Sequence, residues 1–221
     1  AMVDNKAQYS FLKLLDHMFE NEAYKYLSTG QLEQIPHITA ETLYHTYQSM
    51  INNDQCSVYV VGNVEPESVE KQIREKFALK PFDKHQFQHS THHLHDEEVD
   101  YIVEYDDVDQ AKLNMGYRFP TQYGQSGYAA FVVFNMMFGG DPSSVLFNEV
   151  REKQSLAYSI HSQIDGKNGY LFVLSGVSSD KYETAKDTII SEFEKIKAGD
   201  FTEEKLELAK KVIISHRYES E

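Results

Sequence analysis

A single cysteine, Cys56, excludes an internal disulfide framework. It opens the strand-like run of residues 56–61, where a small buried hydrophobe is expected rather than a nucleophile. A thiol-poor chain of this kind fits a reducing, cytoplasmic setting. Long apolar runs are missing too. None approaches the roughly 18–20 residues that crossing a membrane requires, and the first residues are too polar for a secretory signal. Positive charge is scarce: Lys and Arg total 21 against 35 Asp and Glu, a formal net charge of −14. That balance argues against nucleic acid, whose phosphates call for clustered Lys and Arg, and against anionic membrane surfaces. A basic substrate or partner is compatible with it, as is the ordinary use of acidity for solubility.

What is present suffices for a core. With 221 residues and a 41% hydrophobic fraction, the chain has room for one large domain or two small ones. Ala1 before Met2 reads as the remnant of a tag, and both ends fall in helix-like sequence, so a fragment of a longer protein is expected. Phe11, Leu14, Leu15, Met18 and Phe19 repeat at helical spacing. Thr39 is placed to cap a second helix with Leu43, Tyr47 and Met50 on one face. After the strand-like run, Pro66 suits the first turn of a third helix, with Val69, Ile73 and Phe77 as its buried stripe.

Residues 81–98 break the periodicity with Pro81, five histidines and several acids, and read as a linker. Beyond it, residues 101–105 and 112–119 read as strands, and 127–138 as an apolar helix stopped by Gly139-Gly140. A short helix from Ser143 or Ser144 to Lys153 follows. Strands over 157–164 and 169–177 flank Asp165-Gly166-Lys167-Asn168-Gly169, a hairpin turn, and helices over about 180–198 and 202–217 finish the chain. The fold class expected is α+β: a two-layer sandwich of a mixed or mostly antiparallel sheet with helices on one face.

Arg151 and Tyr158 stand out because they lie seven residues apart across a helix-to-strand turn, which can aim two strong donors at one spot. The residues alone favour a plainer reading, with Arg151 paired to Glu149 or Glu152 and Tyr158 packed on the sheet. The surrounding pattern reverses that preference. Gly30-x-x-Glu33-x-Ile35-x-x-Ile38-Thr39-x-Glu41-x-Leu43 leads to Val60-Val61-Gly62-Asn63-Val64, then to Gly116-Tyr117-Arg118-Phe119-Pro120. Phe138-Gly139-Gly140-x-x-Ser143-Ser144-x-Leu146-Phe147-x-x-Val150-Arg151-Glu152-Lys153-x-Ser155-Leu156-Ala157-Tyr158 follows, and Gly199-Asp200-Phe201-Thr202-Glu203-Glu204-x-Leu206 extends the pattern. In this order they resemble the C-terminal-type domain of the pitrilysin/insulinase zinc metallopeptidases, the inverzincins, which include the mitochondrial processing peptidases. The chain looks most like bacterial members that lack the zinc motif and occur as pairs.

The resemblance implies tandem α+β repeats. Residues 1–80 would be the back part of one repeat, 81–98 a His-rich linker, and 99–221 the front part of the next. It also implies a peptide substrate, and zinc held either in missing half-domains or by a zinc-bearing homologous subunit. Arg151 and Tyr158 would be lent to that zinc site. The family's His-x-x-Glu-His ligand motif is absent here. Its nearest approach is His17-Met18-Phe19-Glu20-Asn21, in which Asn is a poor zinc ligand, so no metal site and no cofactor is expected in this chain. The linker residues His85, His89, His92, His93 and His95, followed by Asp96, Glu97 and Glu98, are expected to be solvated or to bind metal only adventitiously. Gly139-Gly140-Asp141-Pro142 is read as a turn rather than a phosphate-binding helix start, because Asp141 repels phosphate.

Overall fold

The computed structural model describes residues 5–27, 29–54, 56–77, 100–108 and 110–219. Two compact units divide the chain: Ala1–Tyr26 with His92–Glu221, and Leu27–Thr91. The expected linker, residues 81–98, lies outside the described residues. The larger unit includes α1 (Lys6–Met18). Its apolar residues Phe11, Leu14, Leu15 and Met18 pack on Tyr170 and Phe172 of the larger unit instead of on the sequence that follows.

The larger unit is built on an antiparallel sheet of β1 (Ala111–Arg118), β2 (Ala157–Asp165) and β3 (Tyr170–Val177) in the order β1-β3-β2. Central β3 is apolar almost throughout because both its faces are covered. Leu171, Val173 and Val177 enter the main core with Phe131 of α4 (Tyr128–Asn135) and with Ala185 and Ile189 of α5 (Tyr182–Lys197). The expected α+β sandwich is therefore present, and α1 adds a layer on the other face, over Tyr170 and Phe172. Phe138, Leu146, Leu171 and Val173 are inaccessible to solvent, each contributing roughly 1.5–3 kcal/mol of burial free energy.

The β2–β3 turn forms where its composition placed it. Asp165 Oδ1 accepts from the backbone N–H groups of Lys167 and Asn168, both at 3.1 Å, and Gly169 takes φ +70°. Burial pushes the Asp165 carboxyl up, but hydrogen bonds from Asn168, Tyr24 and the turn backbone outweigh it and hold the group below the usual carboxylate range. Burial also pushes the neighbouring Tyr170 phenol up to about 12. Gly199, at φ +82°, ends α5, and Thr202 Oγ1 accepts from Lys205 N at the start of α6 (Glu203–Glu219).

Two expected strands do not form. Residues 101–105 join no ladder; their segment is tied to α1 by charge instead, with Lys13 Nζ 2.9 Å from Glu104 and Lys6 paired to Asp106. Residues 56–61 also join no ladder, and Cys56 is exposed rather than buried, because no described segment pairs with this run. Strand propensity expresses itself only against a neighbouring strand. In the smaller unit, Thr39 caps α2 (Ala40–Asn53) reciprocally with Thr42, and Pro66 opens α3 (Pro66–Lys76), both as expected. The apolar stripes of these helices are left open: Leu43, Tyr47, Met50 and Phe77 are exposed, and Val69 and Ile73 only half-buried. Among the described residues, no helix is long and apolar enough to cross a membrane.

Candidate functional site

Three departures from regular backbone meet between Arg151 and Tyr158. The first is the helix that carries Arg151, which over Phe147–Lys153 is a π-helix, a wide form that occurs mostly as short pieces at functional sites. Fully buried Leu146 and Val150 anchor it to the core, so Arg151 is carried on its outer side.

The second departure is the helix end. Ser155 N–H bonds to the Arg151 carbonyl at 3.1 Å and Leu156 N–H to the Val150 carbonyl at 2.8 Å. Between them Ser155 adopts φ +50°, a left-handed position that glycine usually fills. Replacing Ser155 by Gly removes the Cβ penalty of this conformation and is expected to raise stability by up to about 1 kcal/mol. Ser155→Val is expected to lower it by more. Chemical denaturation of both variants checks the sign.

The third departure is a β-bulge. Ser159 pairs with Gly176 in register, yet Ala157 pairs with Val177, so Tyr158 is an extra residue with no partner of its own. Regular alternation would put Tyr158 on the core side with Ile160 and Ser162. The bulge gives that side to Ala157 instead, which is buried, and turns Tyr158 outward with 58% of its surface exposed. The plain reading of a tyrosine packed on the sheet is not what the structure holds.

Arg151, Glu152, Ser155, Ala157, Tyr158, Ser178 and Lys181 line one cleft of about 370 Å³. Ser178 Oγ donates to Tyr158 Oη at 3.2 Å, and Lys181 Nζ donates to the Ser155 carbonyl at 3.1 Å. Arg151 lies over the Phe147 ring, 4.6 Å from its centroid, and its Nε is 3.8 Å from Glu152 Oε1, beyond hydrogen-bond reach. Glu149 pairs with Lys153 instead. Arg151 and Tyr158 both line this cleft. Ser155, Ser178 and Lys181 were not foreseen. The hairpin register from Asp165 brings the end of β3 beside the start of β2, which is the signal that locates Ser178 and Lys181. A concavity of about 420 Å³ along α3 has one wall only, Glu67, Glu70, Lys71, Arg74 and Glu75, and is a helix surface rather than a site.

The family described as Peptidase M16 inactive domain matches residues 37–213. This chain is a member of that family. The resemblance read from the ordered motifs between Gly30 and Leu206 is borne out. YmfF of Bacillus subtilis (strain 168), described as a probable inactive metalloprotease, is 39% identical to the M16 chain over 215 residues, 96% of this chain and 50% of YmfF. The zinc protease PqqE of Helicobacter pylori is 24% identical over 210 residues, 89% of this chain and 47% of PqqE. The M16 chain therefore spans about half the length of these relatives. A conserved protein from Enterococcus faecalis V583 superposes with a TM-score of 0.81 at 29% identity, over 98% of this chain and 51% of that one. The peptidase M16 inactive domain from Pseudomonas fluorescens, at 18% identity, shares the fold with a TM-score of 0.70, over 96% of this chain and 52% of that one.

The cleft of this M16 domain does not fit zinc. Its charged lining is two cations and one carboxylate, whereas a zinc site needs three or four His, Cys or acidic ligands. Among the described residues, no group of three such side chains is placed to hold a metal. His17 lies in the last turn of α1, and the linker histidines lie outside the described residues.

Proposed function

We propose that this chain is the non-zinc domain of an M16 peptidase. In this reading it binds the peptide substrate and presents Arg151 and Tyr158 to a zinc site carried by other half-domains or by a zinc-bearing homologous subunit. It would hold adjoining parts of two α+β repeats and be inactive alone. The observation that carries the reading is the cleft itself: a guanidinium and a phenol, held by an irregular backbone, open onto the same space.

The chemistry available is donation. The weak Glu152 contact leaves the N–H groups of the guanidinium open to a peptide carbonyl. Tyr158 accepts from the Ser178 hydroxyl, which leaves its own proton available for donation to a substrate oxygen. Donors fixed in advance stabilise charge as it develops on a carbonyl oxygen, because they need no reorganisation at the moment of reaction.

The test uses the full-length protein with its zinc-bearing partner, comparing Arg151→Ala and Tyr158→Phe with the wild type. Each is expected to lower kcat about a hundredfold with little change in KM, the behaviour of a contact made in the transition state. A rise in KM alone would assign the pair to substrate binding and make the chain a non-catalytic peptide-binding module. Unchanged kinetics for both variants sinks the role of the pair. Zinc content near one per complex, located outside this chain, completes the assignment.

A further inference from the structure

We infer that the Arg151–Lys181 cleft is a subsite for a peptide carboxylate, either an acidic side chain or the chain's C-terminal group. The inference rests on the peptide-binding reading above and adds to it a substrate class. On this acidic chain, described cations commonly neutralise a neighbouring acid, as in Lys153–Glu149 at 2.6 Å, Lys195–Glu192 at 2.6 Å and Lys210–Glu207 at 2.5 Å. In the cleft that neutralisation is incomplete. Among the described residues Lys181 pairs with no carboxylate, and Arg151 has only Glu152, at 3.8 Å. Two cations therefore share the opening with a single acid, a locally positive spot on a chain of net charge −14.

The geometry suits an oxyacid rather than a second carbonyl. Arg151 offers several N–H donors in one plane, enough to serve the peptide carbonyl and a carboxylate oxygen together, and Lys181 a mobile point charge with three donors, of which the Ser155 carbonyl takes one. Ser178 and Tyr158 add hydroxyls at the same opening, 3.2 Å apart. Arg151 and Tyr158 alone would serve a carbonyl; a second cation from a different element, the turn before α5, exceeds that need. Lys181 also braces the left-handed Ser155, so loss of its charge must be separated from loss of its hydrogen bond.

Short acetylated peptides of Ala, Gly and Ser supply the probes. One carries an amidated C-terminus and no charge, a second the same with one central Glu, and a third a free C-terminal carboxylate. Each is titrated into the chain while the backbone amide resonances of Ser155, Tyr158 and Lys181 are followed. The Glu peptide or the free-acid peptide is expected to bind about tenfold more tightly than the neutral one, a preference that fades in about 0.5 M NaCl. Which of the two is preferred identifies the source of the carboxylate. Lys181→Gln keeps a donor for Ser155 but removes the charge, and is expected to cut the preference to less than about twofold, with Lys181→Arg restoring it. Glu152→Gln is expected to strengthen it. Equal binding of all three peptides overturns the subsite and leaves peptide binding standing, as does a preference that survives Lys181→Gln. Failure of every peptide to shift these amides overturns both.

Discussion

Gly139→Ala is expected to lower the thermal midpoint by about 6–12 °C, corresponding to about 3 kcal/mol for a chain of this size. A Cβ at Gly139 would lie 2.7 Å from both the backbone N and the Oγ of Ser162, and 2.9 Å from its Cβ. The nearest of these atoms is backbone in β2, so no rotamer change relieves the clash. The neighbours are equally fixed: Phe138 is fully buried, and Ser162 Oγ donates to Asn135 Oδ1 at 2.8 Å. Gly199→Ala is the comparison, because that residue needs φ +82° yet has open space around it. It reports the backbone penalty alone, about 1 kcal/mol. A fall of less than about 2 °C for Gly139→Ala would show that the Met136–Gly140 π-segment does not rest on β2 as closely as described.

That contact matters beyond stability. The π-segment that ends α4 holds β2 at Ser162, and the same strand begins with the bulge that turns Tyr158 outward. Val150 of the second π-helix, which carries Arg151, and Leu146 just before that helix join the same core. Both donors of the cleft are positioned from one packed layer, so the spacing between them is a property of the core rather than of a loop.

The elements that could be read from the residues are those whose ends carry local chemistry. Asp165–Gly169 binds its own backbone and sets the hairpin register; Thr39, Pro66, Gly199 and Thr202 mark helix ends that the structure keeps. Residues 56–61 and 101–105 are at least as rich in β-branched and aromatic residues as β3, but composition does not supply a partner, and neither segment joins a ladder. The site was legible as two residue types in a specific pattern. Its geometry was not. Counting back from the Asp165 turn puts Tyr158 opposite Val177 and facing inward; only the one-residue shift between Ala157 and Ser159 turns it out. A π-helix of seven residues is too short for its period to be distinguished from an ordinary helix, and a left-handed Ser155 carries no glycine to announce it.

The bulge yields the sharpest separation of fold from function. Deleting Tyr158 outright is expected to leave the thermal midpoint within about 4 °C of the wild type, a change of no more than about 1 kcal/mol. Ala157 already pairs with Val177 and Ser159 with Gly176, so joining 157 to 159 converts the bulge to regular pairing and keeps Ala157 and Ile160 on the buried side. Deleting Gln163 instead, inside the regular ladder, would turn buried Ile160 and Ser162 outward and is expected to unfold the larger unit. On the function proposed above, tested in the full-length protein with a zinc-bearing homologous subunit, the Tyr158 deletion removes the phenol and alters the spacing to Arg151 together. Peptidase activity is then expected to fall toward a thousandfold, the upper end for losing one preorganised donor. A stable deletion variant with wild-type activity would remove Tyr158 from the reaction. A variant that unfolds would show that the bulge is required by the sheet itself, and that the outward phenol is a consequence of packing rather than a feature of the site.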